Sequence, residues 1–169
     1  MDNRTRLAAF GAGIAAVATL VGVARADPAG TFSGNVCGLL NAKQVASVVA
    51  ATKCTPEPKV AGAGITAYHG YWGASPASST RPYLSFQINT GNAAYLQRAK
   101  AALPQTLMIA GTPKKIAGIG SYAYEAAGTT RTAIGFQAGT YICTIVVQKA
   151  KGKSLSSFNK LAKIVAGKL

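Results

Sequence analysis

Hydrophobic and polar positions alternate most cleanly over residues 81–90, where Leu84, Phe86 and Ile88 share one side and Tyr83, Ser85, Gln87 and Asn89 the other. Successive side chains of an extended chain point to opposite faces, so the pattern predicts a half-buried strand with one wet face. Residues 65–73 form a second strand-like run, and the polar connection over 74–80 makes the two a hairpin with a long loop. Short strands are predicted at 106–110, 121–126, 131–137 and 140–149. The Gly128-Thr129-Thr130 and Ala138-Gly139 turns make the last three an antiparallel meander.

Elsewhere the period lengthens to that of a helix. Tyr95, Leu96, Ala99 and Leu103 form an apolar stripe over 92–103, with Pro104 as its stop. At the end of the chain, Leu155, Phe158, Leu161, Ala162 and Val165 form another over 154–169, while Lys153, Lys160 and Lys163 point elsewhere. Such a stripe docks on a sheet more often than on a membrane. Near the start of the domain Asn41 is placed to cap a helix running to Ala50. Gln44 stands three residues on, as a capping box requires, and Leu39, Leu40, Val45, Val48 and Val49 form the buried side. Thr55-Pro56-Glu57-Pro58 then breaks structure, followed by a Gly/Ala stretch to Gly64.

The amino-terminal pattern is of a different kind. Arg4 and Arg6 precede an uncharged run rich in Ala, Gly and Val over 7–24, and Ala24-Arg25-Ala26 has the small-x-small form that a signal peptidase cuts. Residues 1–26 therefore read as a signal peptide cleaved near Ala26. A retained membrane anchor is the competing reading, but the apolar run is barely long enough to span a bilayer. Residues 27–36 are rich in Gly, Pro and Ser and read as a flexible lead-in. No lipobox precedes Cys37. The expectation is a secreted or periplasmic soluble protein with one domain over 37–169.

Charge narrows the partners. The 169-residue chain has a net charge of +14, and the part after Ala26 keeps fifteen of the eighteen basic residues against three acids, Asp27, Glu57 and Glu125. That excess favours polyanions. For an exported protein this means an anionic envelope polymer, a lipid surface or an envelope protein, with nucleic acid the least accessible. Lys149, Lys151, Lys153, Lys160 and Lys163 make the candidate anion-binding patch. The shortage of Asp, Glu and His argues against carboxylate-pair hydrolysis and metal catalysis, since no HxxH, HExxH or CxxC spacing occurs. No catalytic residues, metal or cofactor are expected.

Three cysteines in an exported chain imply one disulfide and one remainder. Cys37 and Cys54 bracket the first predicted helix and are the preferred pair, worth roughly 3 kcal/mol in the chain-entropy model. Pairing of Cys143 with either stays open on spacing alone. Cys143 lies inside the apolar run Tyr141-Ile142-Cys143-Thr144-Ile145-Val146-Val147, where a cysteine is ordinarily a small buried hydrophobe. The alternative function is a thiol-dependent enzyme or redox protein using Cys143, with His69 as the sole imidazole to activate it.

Two further motifs carry less. Gly118-Ile119-Gly120-Ser121 is a fragment of a nucleotide loop, but Ala123 takes the sixth position and a strand-like run follows, so it reads as a turn. Tyr68-His69-Gly70-Tyr71-Trp72-Gly73 concentrates aromatics. Tyr68 and Trp72 share one strand face and His69 and Tyr71 the other, so at least one pair belongs to the core. Tyr68, Tyr71, Trp72 and Tyr83 are the candidate ligand surface, with the exposed pair beside Tyr83 preferred.

Cys37-Gly38-Leu39-Leu40-Asn41-Ala42-Lys43-Gln44-Val45 is similar to the Cys-x-Leu-Leu-Thr-x-x-Glu-Val opening of small exported bacterial envelope domains of unknown function, many of them actinobacterial lipoproteins. Ile116-Ala117-Gly118-Ile119-Gly120-Ser121-Tyr122-Ala123 resembles their Val-x-Gly-Leu-Gly-Asp-x-Ala segment. Here Gln44 replaces the usual acid, Ser121 replaces Asp, the lipidation cysteine is absent, and Cys54 lies ahead of the aromatic strand that often holds the second cysteine. The resemblance implies an α+β fold, a single antiparallel β-sheet with helices packed against it, and brings no catalytic residues. Together these features predict an exported basic binding or accessory protein of the cell envelope.

Overall fold

The computed structural model describes residues 32–77, 81–148 and 155–169. The predicted signal segment and Lys149, Lys151 and Lys153 lie outside them. Two antiparallel units form the sheet. In the first, β3 (Ile65–Gly73) and β4 (Tyr83–Gly91) pair along their whole length, from Ile65 opposite Gly91 to Gly73 opposite Tyr83. The second is the expected meander of β6 (Tyr122–Ala127), β7 (Arg131–Ala138) and β8 (Tyr141–Gln148). Pairing of β4 with β8, Phe86 opposite Ile145 and Ile88 opposite Cys143, fuses them. With β1 (Cys54–Pro56), β2 (Val60–Gly62) and β5 (Lys114–Ile116) the result is one antiparallel sheet of eight strands. Its order is β1-β3-β4-β8-β7-β6-β5, with β2 also on β3. The fold is α+β, one antiparallel sheet with helices packed against it, as the resemblance implies.

Alternation makes the two faces of this sheet unlike. On one, Leu84, Phe86, Ile88, Ile134, Phe136, Cys143, Ile145 and Val147 meet Phe158, Leu161, Ala162 and Val165 of α3 (Leu155–Ala166). The amino-terminal segment covers the rest of that face with Val36, Leu39, Leu40, Val45, Val48 and Val49. Gly70 permits this approach, since a Cβ there would stand 2.5 Å from Val36 Cγ2. On the other face α2 (Ala93–Leu107) lies over β6, β7 and β8, seating Leu103 and Leu107 on Ala126, Ala133 and Gly135.

Several expectations give way to physical competition. The capping box at Asn41 is present, with Gln44 N–H donating to Asn41 Oδ1 and Asn41 N–H to Gln44 Oε1, both at 2.9 Å. Yet α1 is only Ala42–Val45. Ser47 Oγ donates to the Gln44 carbonyl at 2.7 Å and β-branched valines crowd the next turn, so the chain tightens into turns there. Residues 32–36, read as lead-in, are packed: Phe32 stands edge-on to Tyr68 and Tyr141, and Asn35 caps the 3-10 turn Val36–Gly38.

Pro104 does not stop α2, which runs on to Leu107. Interior proline costs a hydrogen bond, but burial of Leu103 and Leu107 on one stripe outweighs it. The strand expected at 106–110 is therefore helix end and turn, with Met108 and Ile109 exposed. Thr55-Pro56, read as a break, forms β1, because an edge strand needs no amide on its outer side. The Gly/Ala stretch forms β2, joined to β3 by a two-residue turn whose residues, Ala63 and Gly64, both have positive φ.

Candidate ligand-binding surface

The predicted site residues separate. Lys160 and Lys163 are exposed on the outer side of α3. Lys163 reaches across to the β5–β6 connection, where a Cβ on Gly118 would lie 3.7 Å from its Nζ. Of the four aromatics, Trp72 (5% exposed) and Tyr83 (4%) are core residues, so burial closes the ring faces a ligand would need. Tyr68 packs on the amino-terminal segment against Phe32, its ring centroid 5.2 Å away. Tyr71 remains half-buried on the α2 face, in the row of Ser85 and Val146.

Cys37 and Cys54 form the disulfide, their Cα atoms 5.6 Å apart. It ties the turn that opens the domain to edge strand β1. Cys143 is fully buried, and burial pushes its thiol well above the ordinary cysteine range. A thiol so placed is held protonated, whereas the thiolate is the nucleophile.

Because α2 sits mainly over β6 to β8 and only touches β4, the α2 face of β3 and part of that of β4 lie uncovered by it. There His69, Gln87 and Thr144 stand in one cross-strand row. They line a cavity of about 200 Å³ that also takes in Glu57, Pro76 and Ser85. Gln87 and Thr144 also border a cavity of about 330 Å³ beside Asn89, Tyr95 and Arg98. Partial burial raises the Tyr95 phenol above its ordinary value. Glu57 Oε2 stands 4.0 Å from His69 Nδ1, and its N–H donates to the His69 carbonyl at 3.0 Å. Ser85 stands two register pairs along on the same face, opposite Tyr71. Hydroxyl, amide and imidazole groups in such a groove offer donors and acceptors for a polar ligand.

At the other end of the α2 face is a constellation that sequence inspection misses. Lys100 of α2 and Lys115 of β5 hold their ammonium groups 4.8 and 5.8 Å from the ring centroid of Tyr122. Tyr122 donates to the Tyr124 hydroxyl at 3.4 Å, and this bond, ahead of burial, raises the Tyr122 phenol above its ordinary value. Alongside runs a groove of about 200 Å³ lined by Ala93, Leu96, Gln97, Lys100 and Gln137. The only hint in the sequence is the Lys114-Lys115 pair, and it lies in a three-residue strand too short to show a period of its own. A scan of family models and searches of curated proteins and solved structures find no match to this chain.

Proposed function

We propose that the protein is an exported binding or accessory module of the cell envelope that engages an anionic envelope polymer through its exposed cations. The observation that carries this is the charge imbalance on the folded surface. Twelve lysines and arginines but two carboxylate side chains, Glu57 and Glu125, occur among the described residues. Those two face His69 and Asn159. Lys160 and Lys163, next in sequence to Lys149, Lys151 and Lys153, are the proposed contact on α3. The Cys37–Cys54 bridge suits an oxidising compartment, and no helix among the described residues is long and apolar enough to cross a membrane. These features fit the exported envelope domains that the Cys37–Val45 opening resembles. The thiol-enzyme reading loses support from the burial of Cys143.

Retention on an immobilised acidic polysaccharide tests the proposal. Affinity should fall at least about tenfold as ionic strength rises from about 0.01 to about 1 M, because the Debye length shrinks from about 30 to about 3 Å. Retention independent of salt, or none at low salt, would overturn it.

A further inference from the structure

Apart from the polymer contact, we infer that the α2 face of β3, β4 and β8 binds a short peptide with free ends, its ammonium at Glu57 and its carboxylate at Arg98. The space is supplied by two adjoining cavities of about 200 and about 330 Å³, which share Gln87 and Thr144. Together they reach the size that takes a small ligand.

Opposite charges mark the two ends. Glu57 lines the first cavity and Arg98 of α2 the second. In a strongly basic chain Glu57 is one of two acids among the described residues, yet no described lysine or arginine pairs with it. Its one charged or chargeable neighbour is His69, whose Nδ1 stands 4.0 Å from Oε2. Arg98 is exposed, and among the described residues no ion pair holds it. A ligand negative throughout would be repelled at Glu57, and one positive throughout at Arg98, so the groove selects a dipole laid along it.

The distance between the ends sets the ligand's length. Glu57 N–H donates to the His69 carbonyl, which seats Glu57 one strand spacing outside β3. His69 is opposite Gln87 and Gln87 opposite Thr144, beside Arg98 in the second cavity. Adjacent strands lie about 4.8 Å apart, so these three steps cover roughly 14 Å, and an extended peptide of about four residues, at about 3.3 Å each, spans them. Between the ends Gln87 and Asn89 offer carboxamides that both donate and accept, as the N–H and C=O of a ligand's peptide groups require. Ala99, Ala102 and Ile142 give the Arg98 end apolar walls for the ligand's own side chains. An uncharged glycan would leave Glu57 and Arg98 unanswered.

The test titrates the full chain with tetraalanine at low salt and follows the backbone amides of β3, β4 and β8 by NMR. Acetylating the peptide's amine, or amidating its carboxylate, should each weaken binding about threefold, the scale of an exposed ion pair. The variants then read the ends separately. In Glu57→Gln the acetylated and free-amine peptides should bind alike while amidation still weakens binding. In Arg98→Gln the amidated and free-carboxylate peptides should bind alike while acetylation still weakens it. A merely structural role for either residue would lower all affinities together and leave the end preferences in place, which would overturn the site. So would the absence of shifts in these strands at millimolar peptide, or equal binding of free and doubly blocked peptide. Tighter binding of chitotetraose than of tetraalanine would assign the groove to a glycan and overturn it too. Unchanged melting temperatures establish that each variant is folded. Retention of the wild-type chain on acidic polysaccharide is scored separately, so failure of the proposed function and failure of the peptide site are told apart.

Discussion

Where α2 and α3 seat on the sheet, the strands present residues of different sizes, and the difference separates stability from access. Towards α3 the sheet presents Phe86, Phe136, Ile134 and Ile145, each buried, in a core continuous with the amino-terminal segment. Towards α2 it presents Ala126, Ala133 and Gly135, and then the polar row of His69, Gln87 and Thr144 where α2 no longer covers it. Large side chains fill the space between α3 and the sheet. Small ones let the other helix settle on the strand backbones and leave grooves along both of its flanks.

The sharpest way to break the comparison is to hollow out the α3 face. Phe136→Ala should cost about 3–5 kcal/mol, read from denaturant unfolding, because the ring is fully buried in the larger core. A loss below 1 kcal/mol would show that this face does not dominate stability. Filling the α2 face is the complementary change. A Cβ at Gly135 would stand 2.7 Å from Leu103 Cδ2 and 3.5 Å from Leu107 Cδ1, both on buried side chains, so Gly135→Val should destabilise by about 1–3 kcal/mol despite valine's preference for strands. Stabilisation instead would mean that α2 is free to lift away. The smallest effect is expected at Cys143. Its thiol lies in the α3-side core with its pKa raised by burial, so a thiol reagent at neutral pH should leave it unmodified until denaturant is added. Prompt labelling of the native protein would reopen the thiol-chemistry reading.

The same contrast explains what the sequence could and could not convey. Alternation at Leu84, Phe86 and Ile88 is legible because one face is buried in large residues and the other is wet, and the meander follows from its turns. Around α2 the signals conflict. Pro104 reads as a stop, and Leu107-Met108-Ile109-Ala110 reads as a short buried strand; only tertiary contact of Leu103 and Leu107 with the sheet decides for helix. Strands β1, β2 and β5 have three residues each and lean on a longer neighbour, so they carry no period of their own. Of the candidate site, the cationic excess was legible from composition, but its placement was not. Lys100, Lys115 and Gln137 meet only through helix packing and strand register, and Trp72 and Tyr83 looked available because aromatic content does not reveal which face is covered.

One consequence concerns how the sheet ends. A free sheet edge is a template for pairing with another molecule. Here β3 has β1 and β2 along its outer side, each three residues long and interrupted by Glu57 and Pro58, while the opposite border is β5 with Lys114 and Lys115 side by side. Short borders carrying proline or lysine are poor templates, so copies of the chain at high concentration should resist joining edge to edge. Lys115 then has two duties. As well as flanking Tyr122, it guards the sheet against its own kind, and a substitution there should be watched for fibrous self-association as well as for lost binding.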